Sequence, residues 1–202
     1  MDSKLALRQL KAMKKMVRGD DLRLAAEWGS KYNVLIATIL SAQTRDEVTI
    51  PVSDVLFAKY PTMIKLSKAR LGAVEKIVHR TNYHKTKAKH IIGTAKLLSG
   101  RKIPKTTEEL IKLPGVGRKV ANVYLAEAEG ADVIGVDTHL SYMSQKLGWS
   151  INKSPYKIEK DLSNLFPQLY WNSLNPITVK FGRIFSGRKE KDLLLEKISK
   201  IK

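Results

Sequence analysis

Residues 32–40 read Tyr-Asn-Val-Leu-Ile-Ala-Thr-Ile-Leu, a helical run that is apolar nearly all the way round. A helix with no polar face has to be sheathed by other elements on every side, so this segment belongs at the centre of a bundle. The rest of the chain supplies the sheath. Leu10, Met13 and Val17 recur at helical spacing in a basic stretch that Gly19 can cap. Helical patterns follow over 46–59, 63–66, 71–79 and 85–98, with Pro61, Gly72, Gly100 and Pro104 as punctuation. Thr107 starts another, which Pro114 and Gly115 stop; 118–129 forms the next, broken by Gly130; 138–147 and 154–165 then lead to a basic tail. Strand-like alternation is essentially missing. The expectation is an all-α chain of short helices and tight turns, without internal repeat or low-complexity linker.

The charge is lopsided. Thirty-seven Lys and Arg against nineteen Asp and Glu leave +18, an excess that suits a polyanionic partner, and nucleic acid is the natural one. A membrane surface is the competing reading. No run approaches the roughly 20 apolar residues that span a bilayer, and the start MDSKLALRQLKAMKK lacks the apolar core of a signal peptide, so a cytoplasmic protein is expected. Cysteine is absent, which removes disulfides, thiol nucleophiles and thiolate-held zinc or iron–sulfur clusters. His79, His84, His90 and His139 show no paired ligand spacing with nearby carboxylates, so no metal site is expected.

In Leu113-Pro114-Gly115-Val116-Gly117 two glycines sit one residue apart between helical segments, where they can take positive φ and let the backbone approach a ligand closely. The helix from Arg118 presents its N–H groups and positive dipole end to the same place, a grip for a phosphate that reads no sequence. A tight connection made for packing alone is the plainer alternative. Lys119 lies in the first turn of that helix, where the dipole and Arg118 disfavour the charged form of its amine. A partly neutral amine can attack a sugar C1′ and form a Schiff base; otherwise Lys119 is one more phosphate contact. Downstream, the apolar run 133–136 ends at Asp137, followed by Thr138, His139 and a helical pattern. Its ordinary role there is an N-cap. A carboxylate so pinned can also take a proton from lysine and balance an oxocarbenium-like charge.

LPGVGRKVANVYL followed by VIGVDTH resembles the helix-hairpin-helix (HhH-GPD) DNA glycosylase superfamily, specifically its endonuclease III branch. SAQTRD at 41–46 is similar to the branch's SAQ-T-D segment, and NYHKTKAKHI at 82–91 to its Y-x-x-K-A-x-x-I stretch; the match runs colinearly over about 30–185. The resemblance implies a two-lobed all-α fold: a six-helix barrel lobe over 21–132, carrying the hairpin, and a second helical lobe built from 1–20 and 133–202. It makes Lys119 the nucleophile and Asp137 the essential carboxylate. It places Gln43 in the gap left by a flipped nucleotide, where it recovers part of the few kcal/mol that extrusion costs. Tyr83 falls where the family sets a Leu or Phe wedge, and His84 where it often has Tyr; Tyr83 can stack there or be a plain surface aromatic. Gly115, Val116, Gly117 and Arg118 grip the backbone, where hairpin carbonyls can hold a monovalent cation against the phosphate. His139 is a pocket-side or backbone contact, or a helix-surface residue.

The departure is at the C-terminus, where most relatives carry four cysteines around an iron–sulfur cluster. Here Ser186 stands in the place of the first, and Leu193, Leu194, Leu195, Ile198 and Ile201 are expected to form a closing helix whose burial replaces it, beside basic Arg188, Lys189 and Lys191; a solvated tail is the alternative. The resulting expectation is a monomeric, nucleoid-associated glycosylase and abasic-site lyase of base excision repair. It acts on double-stranded DNA bearing a damaged base, an oxidised pyrimidine in the first instance, or an abasic site, without cofactor. A monofunctional mismatch glycosylase and a non-catalytic DNA-binding module are the rivals.

Overall fold

A computed structural model describes residues 2–201, and among them the regular structure is helical, with no strand. In chain order the helices are α1 (Ser3–Met16), α2 (Lys31–Ser41), α3 (Asp46–Lys59), α4 (Met63–Ser67), α5 (Leu71–Val78), α6 (His84–Leu98), α7 (Thr107–Leu110), α8 (Arg118–Glu129), α9 (Thr138–Lys146), α10 (Pro155–Leu165), α11 (Trp171–Ile184) and α12 (Arg188–Ser199). They fall into two compact units: 23–130, and 1–22 together with 131–202.

The continuous unit is built around α2. Ser30 caps this helix by accepting from the Asn33 N–H at 3.4 Å, and every residue from Val34 to Leu40 is buried. Helices α3, α6 and α8 pack against it, the sheath its all-round apolar sequence requires. At one flank the Phe57 ring meets Trp28 and Tyr32 edge-on, with centroids 4.7 and 5.6 Å away. At the far end of α8, Glu129 receives Lys31 Nζ at 2.8 Å and Lys105 Nζ at 3.5 Å. The Lys31 hydrogen bond, ahead of the other contacts, holds its carboxyl below the usual glutamate range.

The discontinuous unit has its own core. Leu10 and Met13 of α1 share it with Leu140 and Met143 of α9, Leu174 and Phe181 of α11, and Leu195 and Ile198 of α12. Trp149 packs edge-on to Phe166, centroids 5.0 Å apart, and donates its indole N–H to buried Gln9 at 2.7 Å. Helix α11 is absent from the sequence reading, because Pro176 lies inside it and breaks the pattern. Pro176 removes one backbone N–H, and the helix continues through it because Leu174, Ile177 and Phe181 keep one face in the core.

The C-terminal stretch is a helix, as expected, with one correction. Leu195 and Ile198 are buried and Leu194 and Ile201 pack against the same core, whereas Leu193 is 59% exposed. At 100° per residue Leu193 lies off the stripe that 194, 195, 198 and 201 share. Asp192 pins α12 to α9 by accepting from the Tyr142 hydroxyl and, at 3.3 Å, pairing with Lys146.

Candidate active site

The hairpin is assembled from α7 and α8 and braced on α6. Thr106 caps α7 by accepting from the Glu109 N–H at 3.3 Å, and the Thr107 hydroxyl meets buried Asn122 of α8 at 2.9 Å. The Leu113 carbonyl accepts from the Val116 N–H at 3.1 Å, closing the turn. From α6, the Thr94 hydroxyl donates to the Pro114 carbonyl at 2.9 Å. Gly115 has φ +78°, and a Cβ there would lie 2.8 Å from His90 Nδ1, so conformation and packing both require glycine. Gly117 behaves differently from the sequence reading. Its backbone is extended, at φ −89° and ψ 174°, and a side chain there would meet nothing within 4 Å. No side-chain hydrogen bond caps α8. Val116 has its side chain buried and its N–H used inside the turn. Arg118 is exposed and Lys119 half-buried in the first turn of α8.

A second cluster forms around Gln43 and Tyr83. These are the only non-glycine residues at positive φ among the described residues, at +53° and +57°. Such a conformation costs on the order of 1 kcal/mol or more, and it persists only where neighbours impose it. The neighbours here are specific. Asn82 donates from Nδ2 to the Gln43 carbonyl at 2.5 Å and from its backbone to Thr44 Oγ1 at 3.1 Å. Lys87 of α6 donates to the same Thr44 hydroxyl at 2.7 Å and to the Leu40 carbonyl, at the end of α2, at 2.6 Å. Gln43 and Tyr83 are exposed, Tyr83 by 67%, and His84, the first residue of α6, is half-buried.

Sequence reasoning assigned no role to Lys87, Thr44 or Asn82. A signal for Lys87 existed: it is a lysine in the register of Ile91 and Ala95, which faces the core. Burial pushes its ammonium from the ordinary 10.5 down to about 8. Between those values the unfolded chain binds the extra proton and the folded one does not, so raising the pH favours folding. Urea unfolding should therefore show a stability gain from pH 8 to 10 that is missing in Lys87→Met.

In the other unit, Asp137 caps α9, its Oδ1 accepting from the Leu140 N–H at 2.8 Å. Ile134 and Val136 are buried in the core and Asn175 of α11 donates to the Gly135 carbonyl at 2.8 Å, so the segment leading to the carboxylate is held on both sides. The cap commits Oδ1 of the carboxylate. Half-buried His139 lies against α11, where a Cβ on Gly182 would fall 2.1 Å from its Nδ1. Gly182→Ala should cost about 1–3 kcal/mol of stability, and His139→Ala should restore part of that loss in a double-mutant cycle. Additive losses would show that the two do not meet. Among the described residues no group of three or more His, Asp or Glu side chains is arranged to hold a metal ion.

Residues 36–168 match the HhH-GPD superfamily of base excision DNA repair proteins, a span that includes the Gln43 cluster, the hairpin, Lys119 and Asp137. The chain belongs to this superfamily. Within it, the chain is 37% identical to the Endonuclease III of Thermotoga maritima over 155 residues, which is 75% of this chain and 73% of that protein. It is 36% identical to the Endonuclease III of Synechocystis sp. over 182 residues, 88% of this chain and 82% of that one. A solved structure of a trapped covalent intermediate of endonuclease III with DNA superposes with a TM-score of 0.84 at 30% identity, covering 94% of this chain and 90% of the other. This HhH-GPD protein is thus of the endonuclease III branch, a DNA glycosylase and abasic-site lyase of base excision repair.

Proposed function

We propose that the enzyme removes oxidised pyrimidines from double-stranded DNA through a Schiff base on Lys119. The observation that carries this is the placement of Lys119 in the first turn of α8, directly beyond the Gly115–Gly117 turn. The hairpin grips a phosphate through the open mouth of α8 and Arg118, which brings the amine to a sugar. Asp137, with one oxygen left over from its cap, takes the proton from the lysine ammonium. The neutral amine attacks C1′ of a flipped nucleotide, forming a C–N bond as the bond to the base breaks, and the carboxylate offsets the positive charge on the sugar. The sugar ring opens to an iminium, loss of a C2′ proton expels the 3′ phosphate by β-elimination, and water releases the lysine. Gln43 fills the vacated position and Tyr83 stacks as the wedge, with His84 and His139 on the backbone.

A monovalent cation fits against the hairpin carbonyls when DNA is bound. The Leu113 and Pro114 oxygens each accept one hydrogen bond already and keep a second lone pair for it. With no cysteine in the sequence, the stabilising part of an iron–sulfur cluster falls to α12. No helix among the described residues is long and apolar enough to cross a membrane, and we place the enzyme with the nucleoid, working as a monomer.

Borohydride reduction in the presence of a duplex with an abasic site tests the reading: a covalent adduct of enzyme and DNA is expected, and base release without adduct or strand scission would favour monofunctional chemistry. Affinity should also be steeply salt-dependent. With about 6–10 phosphate contacts, roughly 10³ to 10⁵ is lost between about 50 and 200 mM salt, and a flat titration would contradict the backbone grip.

A further inference from the structure

Behind Gln43 and Tyr83 one buried ammonium does the work of joining two loops. Lys87 is 5% exposed, and two of its N–H donors are spent on acceptors from different elements: the Leu40 carbonyl at the end of α2 and Thr44 Oγ1 in the loop after it. The first of these satisfies a helix-end carbonyl that has no partner within its own helix. The second shares the Thr44 hydroxyl with the Asn82 backbone, which carries the bracing across to the loop that presents Tyr83. Asn82 closes the ring through its side chain on the Gln43 carbonyl. The two strained residues thus hold their left-handed backbone because each loop is tied to the other through Thr44 and Asn82, and Lys87 anchors that knot in the helical core.

A lysine is a costly choice for packing alone. Its charge is unfavourable where it sits, and a methionine of similar length would fill the same space without desolvating an ammonium. What the lysine adds is two directed hydrogen bonds to the segment that carries Gln43.

We propose that Lys87 is a positioning residue for nucleotide extrusion, holding the Gln43 and Tyr83 loops in the shape that enters the base stack. The proposal rests on the reading of Gln43 and Tyr83 as stack-entering residues. It separates two halves of the reaction: removal of a base still stacked and paired needs the loops in place, whereas cleavage at a preformed abasic site, where little has to be unpaired, needs them far less.

The test compares single-turnover base release from a paired thymine-glycol duplex with strand cleavage of an abasic duplex, using Lys87→Met and Thr44→Val. Thr44→Val removes the shared acceptor and keeps the packing, so the question stays open to measurement even if Lys87→Met unfolds. The expected result is base release slowed about tenfold or more by either variant, with abasic cleavage slowed by less than about threefold, as a smaller unpairing cost requires. The deficit should shrink when the lesion is left unpaired. A 2-aminopurine opposite the lesion should brighten less with the variants than with the wild type. Equal slowing of both reactions, or no slowing of either, overturns the proposal. Gln43→Ala and Tyr83→Ala serve as separate arms: if both release base at the wild-type rate, the stack-entering reading itself fails, whereas slowing there with a normal Lys87→Met defeats only the role of Lys87.

Discussion

Lys119→Ala is expected to yield no borohydride-trapped adduct and to lower strand cleavage at an abasic site by about 10³-fold or more, the scale on which loss of a covalent nucleophile acts. The fold should survive. Lys119 sits in the first turn of α8, a position that alanine accepts well, and the buried residues holding that helix are Val120, Ala121, Asn122, Val123, Tyr124 and Leu125. Arg118→Ala supplies the control. It removes an exposed charge from the same turn and should weaken DNA binding while leaving the adduct. Thermal melts of both variants near the wild-type midpoint would show that chemistry, not folding, is lost. An adduct that persists in Lys119→Ala would move the nucleophile to another amine.

Asp137 should show two separable losses, because it caps α9 and is also the carboxylate we propose for the chemistry. Asn caps helices about as well as Asp, so Asp137→Asn keeps the bond to the Leu140 N–H and most of the stability of α9. It removes the charge that we propose takes a proton and offsets the developing cation, and base release should fall by about 10² to 10⁴. Asp137→Ala should lose the same activity and a further ~1 kcal/mol of stability with the cap. If Asp137→Asn releases bases at the wild-type rate, the carboxylate is only a cap. Comparing the two substitutions by urea unfolding and by single-turnover kinetics distinguishes these outcomes.

The parts of the molecule that the sequence made legible are those where a local rule decides the structure. Helix α2 could be read because nine consecutive residues leave no polar face, and Asp137 could be read as a cap because an apolar run ends there in front of a helical pattern. What escaped depended on contacts distant in sequence. Helix α11 carries Pro176, whose local message is to stop; the core it shares with α1 and α9 outweighs that message. Asn175 on that helix supports the Asp137 segment from forty residues away. Gly115 and Gly117 look alike in the sequence, yet only Gly115 has a positive φ and a neighbour, His90, that leaves no room for a Cβ. Lys87 was legible as part of a motif but not as a brace, because its partners Leu40 and Thr44 lie 47 and 43 residues earlier.

The division of the chain has a consequence for how the protein comes to life. The unit that carries the hairpin is one continuous stretch, 23–130, so all of its core is available as soon as that stretch leaves the ribosome. The unit that carries Asp137 is interrupted: α1 is made before the continuous unit, yet it packs against α11 and α12, which are made after it. Leu10 and Met13 must wait for Leu195 and Ile198. Lys119 therefore has its scaffold before Asp137 acquires its own. A nascent chain can fold the unit with the hairpin while α1, already made, still lacks the helices it packs against.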